Sequence, residues 1–188
     1  MAKKEIGSDV FLPMPVVLVG ADVGSKPNFM AAGWVTRVNI EPPMVAVALT
    51  AGRYTVKGIE EHGTFSLCLP SKDLVEKADY CGLVSGKEVD KSAVFEVQYG
   101  KLETAPMAVE CSVCMECRVV QVVTLGSDAI YVGEIVAAYA DEDVLVQDAL
   151  DVQRMGLFFL TMPDNKYRLM GEEFAEAFSI GKNVGERD

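Results

Sequence analysis

A chain of 188 residues that is 50% hydrophobic and 24% charged has the composition of an ordered globular protein, and a fold of this size withdraws roughly 70% of its extended-chain surface from water. Seventeen basic residues against 28 acidic ones leave a formal net charge of -11. That field repels phosphate backbones and anionic lipid, argues against nucleic acid and membrane as partners, and requires any bound anion to be held by a local pocket of donors.

The opening "MAKKEIGSDVF" carries two lysines but neither an apolar signal core nor a small-residue cleavage site, and no apolar run reaches membrane-spanning length. An unexported, cytoplasmic protein is expected. Five cysteines, an odd number, fit reduced thiols better than a disulfide framework. No Pro/Gly/Ser-rich linker or repeat divides the chain, so residues 1–188 are expected to form one domain.

Short β-type runs dominate in chain order: "VVLVG" (16–20), "WVTRVNI" (34–40), "MVAVALT" (44–50), "TFSLCL" (64–69), "VVQVVTL" (119–125), "AIYVGEIVAAY" (129–139) and "LFFLT" (157–161). Gly20 and Gly24 follow the first run without the G-x-G-x-x-G spacing of a dinucleotide fold, and no helix precedes Pro27, so they predict a turn. Thr55 is placed to cap a helix "VKGIEEH" ended by Gly63, and Ser71 to cap "KDLVEKADYC" ended by Gly82. The run from Glu110 to Leu125, then Gly126-Ser127-Asp128 and a second alternating run, predicts a long hairpin. A third short helix is expected near "GEEFAEAF" (171–178).

Many short strands with few helices point to a mainly β, antiparallel barrel. The solidly apolar strands have two explanations, burial of both faces within one chain or one face meeting another subunit.

Among chemistry-bearing residues, Cys111, Cys114 and Cys117 in "CSVCMEC" have spacings that suggest zinc or iron–sulfur ligation. An extended strand would send Cys111 and Cys117 to one face and Cys114, with Glu116, to the other, so the three thiols would not converge. No neighbouring Cys-Pro or His completes a set, and buried apolar thiols are the expected state. His62 is the single histidine; it is expected at a helix end, and it offers neither a histidine metal site nor a recognisable Cys–His nucleophile pair. No metal site and no catalytic acid, base or nucleophile is therefore expected.

A dispersed set of donors remains. Arg53 stands just before a helix start, where free N–H groups and the helix dipole favour an anion that a guanidinium can grip in bidentate fashion. An ordinary helix start beside a surface arginine has the same spacing. "CGLVSGKEVDK" (81–91), with Cys81, Gly82, Ser85, Gly86 and Lys91, is either a cover for that anion or a surface excursion.

Taken in order, "PNFMAAGW", "EPPMVAVAL", "RYTVKGIEEHGTFSLCLPS", "DYCGLVSGKEVDK", "ECRV", "YVGEI" and "FSIGK" span nearly the whole chain. The sequence resembles the flavin reductase-like family of FMN-binding split β-barrels, antiparallel and of Greek-key type with a few short helices, and is most similar to its flavoredoxin branch. The resemblance implies a homodimer binding FMN near the subunit boundary. The segment Asn28 to Asn39 would run along the isoalloxazine ring, with Thr36, Arg37, Val38 and Asn39 among its contacts and Trp34 as a core or interface anchor. The segment Arg53, Tyr54, Thr55 would hold the phosphate, and the loop with Cys81, Gly82, Ser85, Gly86 and Lys91 would close over the ligand. It further implies an oxidoreductase that passes electrons from NAD(P)H or a redox protein through the flavin to an acceptor, or an electron carrier without its own NAD(P)H reductase activity. Cys68, where the family often has Asn, and Ser92, where an aromatic is common, depart from the pattern.

Overall fold

The computed structural model describes residues 3–182 and residue 184. Seven antiparallel strands form its main sheet: β1 (Val17–Val23), β2 (Lys26–Ala32), β3 (Val35–Asn39), β4 (Met44–Thr50), β5 (Thr64–Leu69), β6 (Val113–Leu125) and β7 (Asp128–Ala140). Two helices, α1 (Tyr54–His62) and α2 (Val75–Leu83), interrupt them. The spatial order is β2-β1-β5-β6-β7-β4-β3. The two edge strands, β2 and β3, are thus consecutive in the chain and joined by Gly33-Trp34 alone. A linker of two residues cannot cross the width of a flat seven-stranded sheet. The sheet must roll until its edges meet, and the seam of the barrel falls at that linker.

Local sequence assists the roll. The β6–β7 hairpin turns through Gly126-Ser127, with Gly126 at φ 59°, as the turn residues predict. Register shifts at Val132/Gly133 and Ile135/Ala137 insert bulges that bend this ribbon. At the inner bend Gly133 is required, because a Cβ there would strike the Phe65 ring. Met14–Pro15, Phe158–Thr161 and Lys166–Leu169 form a separate three-stranded sheet, and "LFFLT" supplies its centre.

Strand alternation sorts the core into two layers. Val17, Val19 and Ala21 of β1, Phe65 and Leu67 of β5 and Val45 and Val47 of β4 pack inside the barrel, with Val56 and Ile59 of α1 against them. Leu18, Cys68 and Cys114 face outward into a second cluster with Ala78 and Cys81 of α2 and with Phe29, Phe95 and Met107. Every residue of β1 is buried. The solid apolar runs of β1 and β5 therefore reflect burial of both faces within this chain.

Several expectations are corrected. Arg53, not Thr55, occupies the N-cap of α1, and Thr55 lies buried in the first turn. Ser71 precedes a short 3₁₀ turn at Lys72–Leu74 without a side-chain cap, and α2 extends to Leu83, one residue beyond Gly82. The segment 171–178 is not helical: Phe174 and Phe178 are almost fully exposed, and a helix of this length with no surface against which to bury a face is marginal in water. Cys111 precedes β6, so strand alternation does not govern it; it shares the outer cluster with Cys114, while Cys117 faces the barrel interior. His62 is the last residue of α1, as expected, and its Nε2 lies 4.0 Å from Glu61 Oε1.

One buried carboxylate ties the outer layer to the sheet. Glu116 on β6 is fully buried, and its Oε1 accepts from the backbone N–H of Gly100 (3.1 Å) and Leu102 (2.8 Å). Its Oε2 accepts from Lys101 N–H (2.7 Å) and the Tyr139 hydroxyl (2.9 Å). Four donors replace the hydration that the ion loses. Glu116→Gln keeps the shape but aims an amide N–H₂ at donors, and is expected to cost on the order of 2–3 kcal/mol, read as a lower urea midpoint at unchanged slope.

Candidate functional site

A hollow of about 40 Å³ opens where the N-terminus of α1, β2 and the C-terminal end of α2 converge, lined by Met30, Ala31, Arg53, Tyr54, Thr55, Cys81, Gly82, Val84, Ser85, Gly86 and Lys91. Eight of the thirteen residues that the sequence nominates lie together here, although they come from positions 53 to 91 of the chain.

Each is placed by a local cause. Arg53 is extended (φ -61°, ψ 141°) and its side chain makes no cap hydrogen bond, so the first N–H groups of α1 are left without a capping side chain. Among the described residues no carboxylate pairs with its guanidinium within ion-pair distance. Asn28 joins from β2: its Nδ2 donates to Thr55 Oγ1 at 2.6 Å, both residues being buried, and this bond fixes the first turn of α1 to the strand. Thr55 thus serves as a structural post through its oxygen lone pair, while its hydroxyl proton stays available to donate.

The loop after α2 is held from within. Lys91 is only 3% exposed, and its Nζ donates to the carbonyls of Cys81 (3.1 Å) and Val84 (3.0 Å) at the end of α2. An ammonium group thus satisfies carbonyls that the helix leaves open. Burial pulls the Lys91 ammonium below its ordinary value, opposed by Cys81 and reinforced by Arg53. Burial also pushes the Cys81 thiol up, against the lowering effect of Lys91 and Lys77. Cys81 is accordingly a neutral wall residue, not a nucleophile. Ser85 Oγ accepts from Lys87 N–H at 3.2 Å, and Ser85 O accepts from Glu88 and Val89, which tightens the loop beside the hollow. At Gly86 a Cβ would collide with Asn28 Oδ1 and the Tyr54 ring, so the close approach of this loop requires glycine. At the far end, Lys26 grips Asp90 at 2.8 Å.

On the other side of the barrel seam lies a larger, mostly apolar cleft of about 640 Å³, with Met14, Gly33, Trp34, Thr36, Ala46 and Ile130 in its wall. Of the nominated β3 residues only Thr36 lines it. Arg37 folds onto its own strand end, its Nε donating to Asn39 O at 2.6 Å, while Asn39 Nδ2 donates to Pro42 O at 2.8 Å. Val38 is exposed, and none of these three reaches the Arg53 hollow. Trp34 is half exposed, its Nε1–H donating to Met14 Sδ at 3.1 Å, which removes it from the core. The sequence reading missed Met30, Ala31 and Val84 as wall residues; "FMAAG" carries small side chains on an edge strand, a signal that close approach was needed, since the Cβ of Ala31 faces Gly82.

Comparison with known proteins decides the family. The flavin reductase like domain model matches residues 10–157. The chain belongs to the flavin reductase-like family. A flavoredoxin from Methanosarcina acetivorans is 48% identical, with a TM-score of 0.95 over 98% of this chain and 100% of that one. Flavoredoxin of Desulfovibrio vulgaris (Miyazaki F) is 33% identical, with a TM-score of 0.87 over 97% and 100% of the two chains. A protein of Aeropyrum pernix is 32% identical over 137 residues, 71% of this chain, and the match spans about half of that relative's length, 52%. This member of the flavin reductase-like family thus shares its split-barrel fold with both flavoredoxins.

Lys91→Met should release the carbonyls of Cys81 and Val84 and loosen the loop. Amide hydrogen exchange over residues 84–91 is expected to quicken roughly tenfold or more while the strands remain protected; unchanged exchange would remove Lys91 as the loop's anchor.

Proposed function

We propose that this chain, as one domain, binds FMN with its phosphate in the Arg53 hollow and its ring system towards the seam between β2 and β3, and that it acts as a flavin-dependent oxidoreductase. The observation that carries this reading is the convergence of an arginine with no carboxylate partner among the described residues and the uncapped N-terminus of α1 on one small hollow. Anions are favoured at such a helix end, and in a chain of charge -11 only a local arrangement of this kind attracts one.

The fit to FMN is consistent at both ends. At about 40 Å³ the hollow suits the small anionic end of the cofactor, seated at its mouth, and not the ring system. The edge strands β2 and β3 each have one backbone edge unpaired in the sheet, and both lie beside the hollow or the apolar cleft. Those free N–H and C=O groups, with the Thr36 hydroxyl, match the polar rim of a flat heterocycle. When bound, the flavin supplies one- and two-electron transfer. The chain's own residues do the rest: Arg53 and the α1 N–H groups hold the phosphate, Ser85 offers a hydroxyl beside it, Lys91 fixes the loop, and the Met30–Ala31 backbone keeps water from one side.

A homodimer is part of the same reading. Trp34, Val38 and Ile40 near the seam, and Val120, Val122 and Leu125 on the distal half of the β6–β7 hairpin, are exposed apolar side chains. A second copy covering them would also close the apolar cleft. Electrons would arrive from NAD(P)H or from a redox protein docking on the acidic surface, the latter making the chain an electron carrier without its own nicotinamide reductase activity.

Arg53→Ala is expected to weaken FMN binding roughly ten- to hundredfold, the loss of a charged hydrogen-bonding partner, in a flavin-fluorescence quench titration. An unchanged affinity sinks the phosphate assignment. Anaerobic mixing of the FMN-loaded protein with NADH and with NADPH separates the two modes. Bleaching of the flavin band by either nucleotide is expected for the reductase, and bleaching by a reduced partner protein alone identifies the carrier.

A further inference from the structure

The five cysteines are all free and all buried, and the flavin site uses the chemistry of none of them. Two of them stand in a special relation. Cys68 on β5 is directly opposite Cys114 on β6. Just beyond the last pair of that ladder, Val119 N–H donates to Gly63 O at 2.9 Å. In an antiparallel ladder hydrogen-bonded and non-hydrogen-bonded pairs alternate. Counting inward from 63/119, the pairs 65/117 and 67/115 exchange backbone hydrogen bonds, and 64/118, 66/116 and 68/114 do not. No register shift interrupts the count.

Cys68 and Cys114 therefore form a non-hydrogen-bonded pair, the type in which Cα atoms lie about 4.5 Å apart and side chains lean together. That separation falls within the range of roughly 4.4–6.8 Å that a disulfide spans. Both side chains face the same outer cluster. The 107–111 segment brackets both sulfurs: Ala108 N–H donates to Cys68 Sγ at 3.4 Å, and the Cys114 thiol donates to Ala108 O at 3.6 Å and Cys111 O at 3.7 Å. Burial opposes ionisation of Cys68, but hydrogen bonds from Cys114, from Ala108 N–H and with Ser66 outweigh it and lower its value. Ionisation of Cys114 is pushed up, first by its bond to Cys68 and then by burial. The hydrogen bonds thus assist ionisation at Cys68 and oppose it at Cys114. The cover over the pair is the 107–111 segment, whose Met107 and Ala108 are themselves buried and whose ladder with Val97–Gln98 is two residues long, continued by Val109 N–H to Glu96 O at 2.9 Å; peroxide reaches the sulfurs when that segment opens locally.

We propose that Cys68 and Cys114 are a reversible dithiol–disulfide site, oxidised by hydrogen peroxide and restored by small dithiols. The Cys68 sulfur attacks a peroxide oxygen, the O–O bond breaks, and hydroxide leaves, giving a sulfenic acid. The Cys114 sulfur then attacks the Cys68 sulfur, forming the S–S bond as the hydroxyl departs. The two thiol protons end in two water molecules, and the two electrons lost by sulfur reduce the peroxide. A dithiol reductant reverses this by exchange and is itself oxidised to a disulfide.

The wild-type protein decides the matter by mass spectrometry. After peroxide treatment and alkylation with N-ethylmaleimide in denaturant, the number of adducts is expected to fall from five to three, the five cysteines less the two joined. A digest should contain the Cys68 and Cys114 peptides cross-linked, dithiothreitol should restore five adducts, and the far-ultraviolet circular dichroism should not change. Cys111→Ser should keep the cross-link and Cys68→Ser should lose it; the wild-type peptide map stands whether or not these variants fold. A cross-link through Cys111 or Cys81, five adducts after treatment, over-oxidation without a cross-link, or a cross-link that forms only as the folded spectrum is lost would each overturn the proposal.

Discussion

The structure depends on a two-residue linker. Gly33-Trp34 connects the outermost strands of a seven-stranded sheet, so the sheet has no flat solution and closes on itself with a seam at that point. The rest follows from closure. The interior is filled by alternate residues of β1, β4 and β5, the open end by Val56 and Ile59 of α1, and the outer face of β1 and β5 by α2 and the 94–111 segment. The seam is also where, among the described residues, two strand edges lack ladder partners next to apolar surface.

Two buried charges show how this packing is reconciled with polar chemistry. Glu116 and Lys91 both lie almost wholly out of water, and each is met by backbone groups: three N–H groups and a tyrosine hydroxyl for the carboxylate, two carbonyls for the ammonium. Neither needs a counter-ion, which leaves the guanidinium of Arg53 as the exposed cation of its hollow. The buried, internally satisfied ammonium and the exposed guanidinium are thus kept apart, although Arg53 and Lys91 are close enough to influence one another.

Much of this was legible in the residues. Turn chemistry at Gly126-Ser127 and strand alternation across β6 and β7 gave the long hairpin, whereas spacing left the loop from Cys81 to Lys91 open between a cover and a surface excursion, and the structure lays it against the Arg53 hollow. The failures share a cause: local pattern was overridden by tertiary context. Thr55 has the chemistry of a cap, yet the bond from Asn28 draws it into the first turn. "GEEFAEAF" has helical composition but no surface on which to bury a face. Cys111 was assigned by alternation to a strand that begins only at Val113. A separate matter is β3, where the side chains of Arg37 and Asn39 are engaged by backbone carbonyls a few residues away, a capture that no spacing rule reveals. The two-sided burial of β1 likewise could not be told from a subunit contact until the partners on both faces were known.

The placement of Lys91 has a consequence for the electric field at the hollow. The amino end of α1 and the carboxyl end of α2 both border it, and left alone their opposed polarities would largely cancel at a bound anion. Because an internal ammonium sits on the α2 carbonyls, that end is muted and the positive lobe of α1 prevails. The loop's lysine thus works as a shim between two antagonistic dipoles, adding to the positive field that the Arg53 guanidinium sets at the hollow.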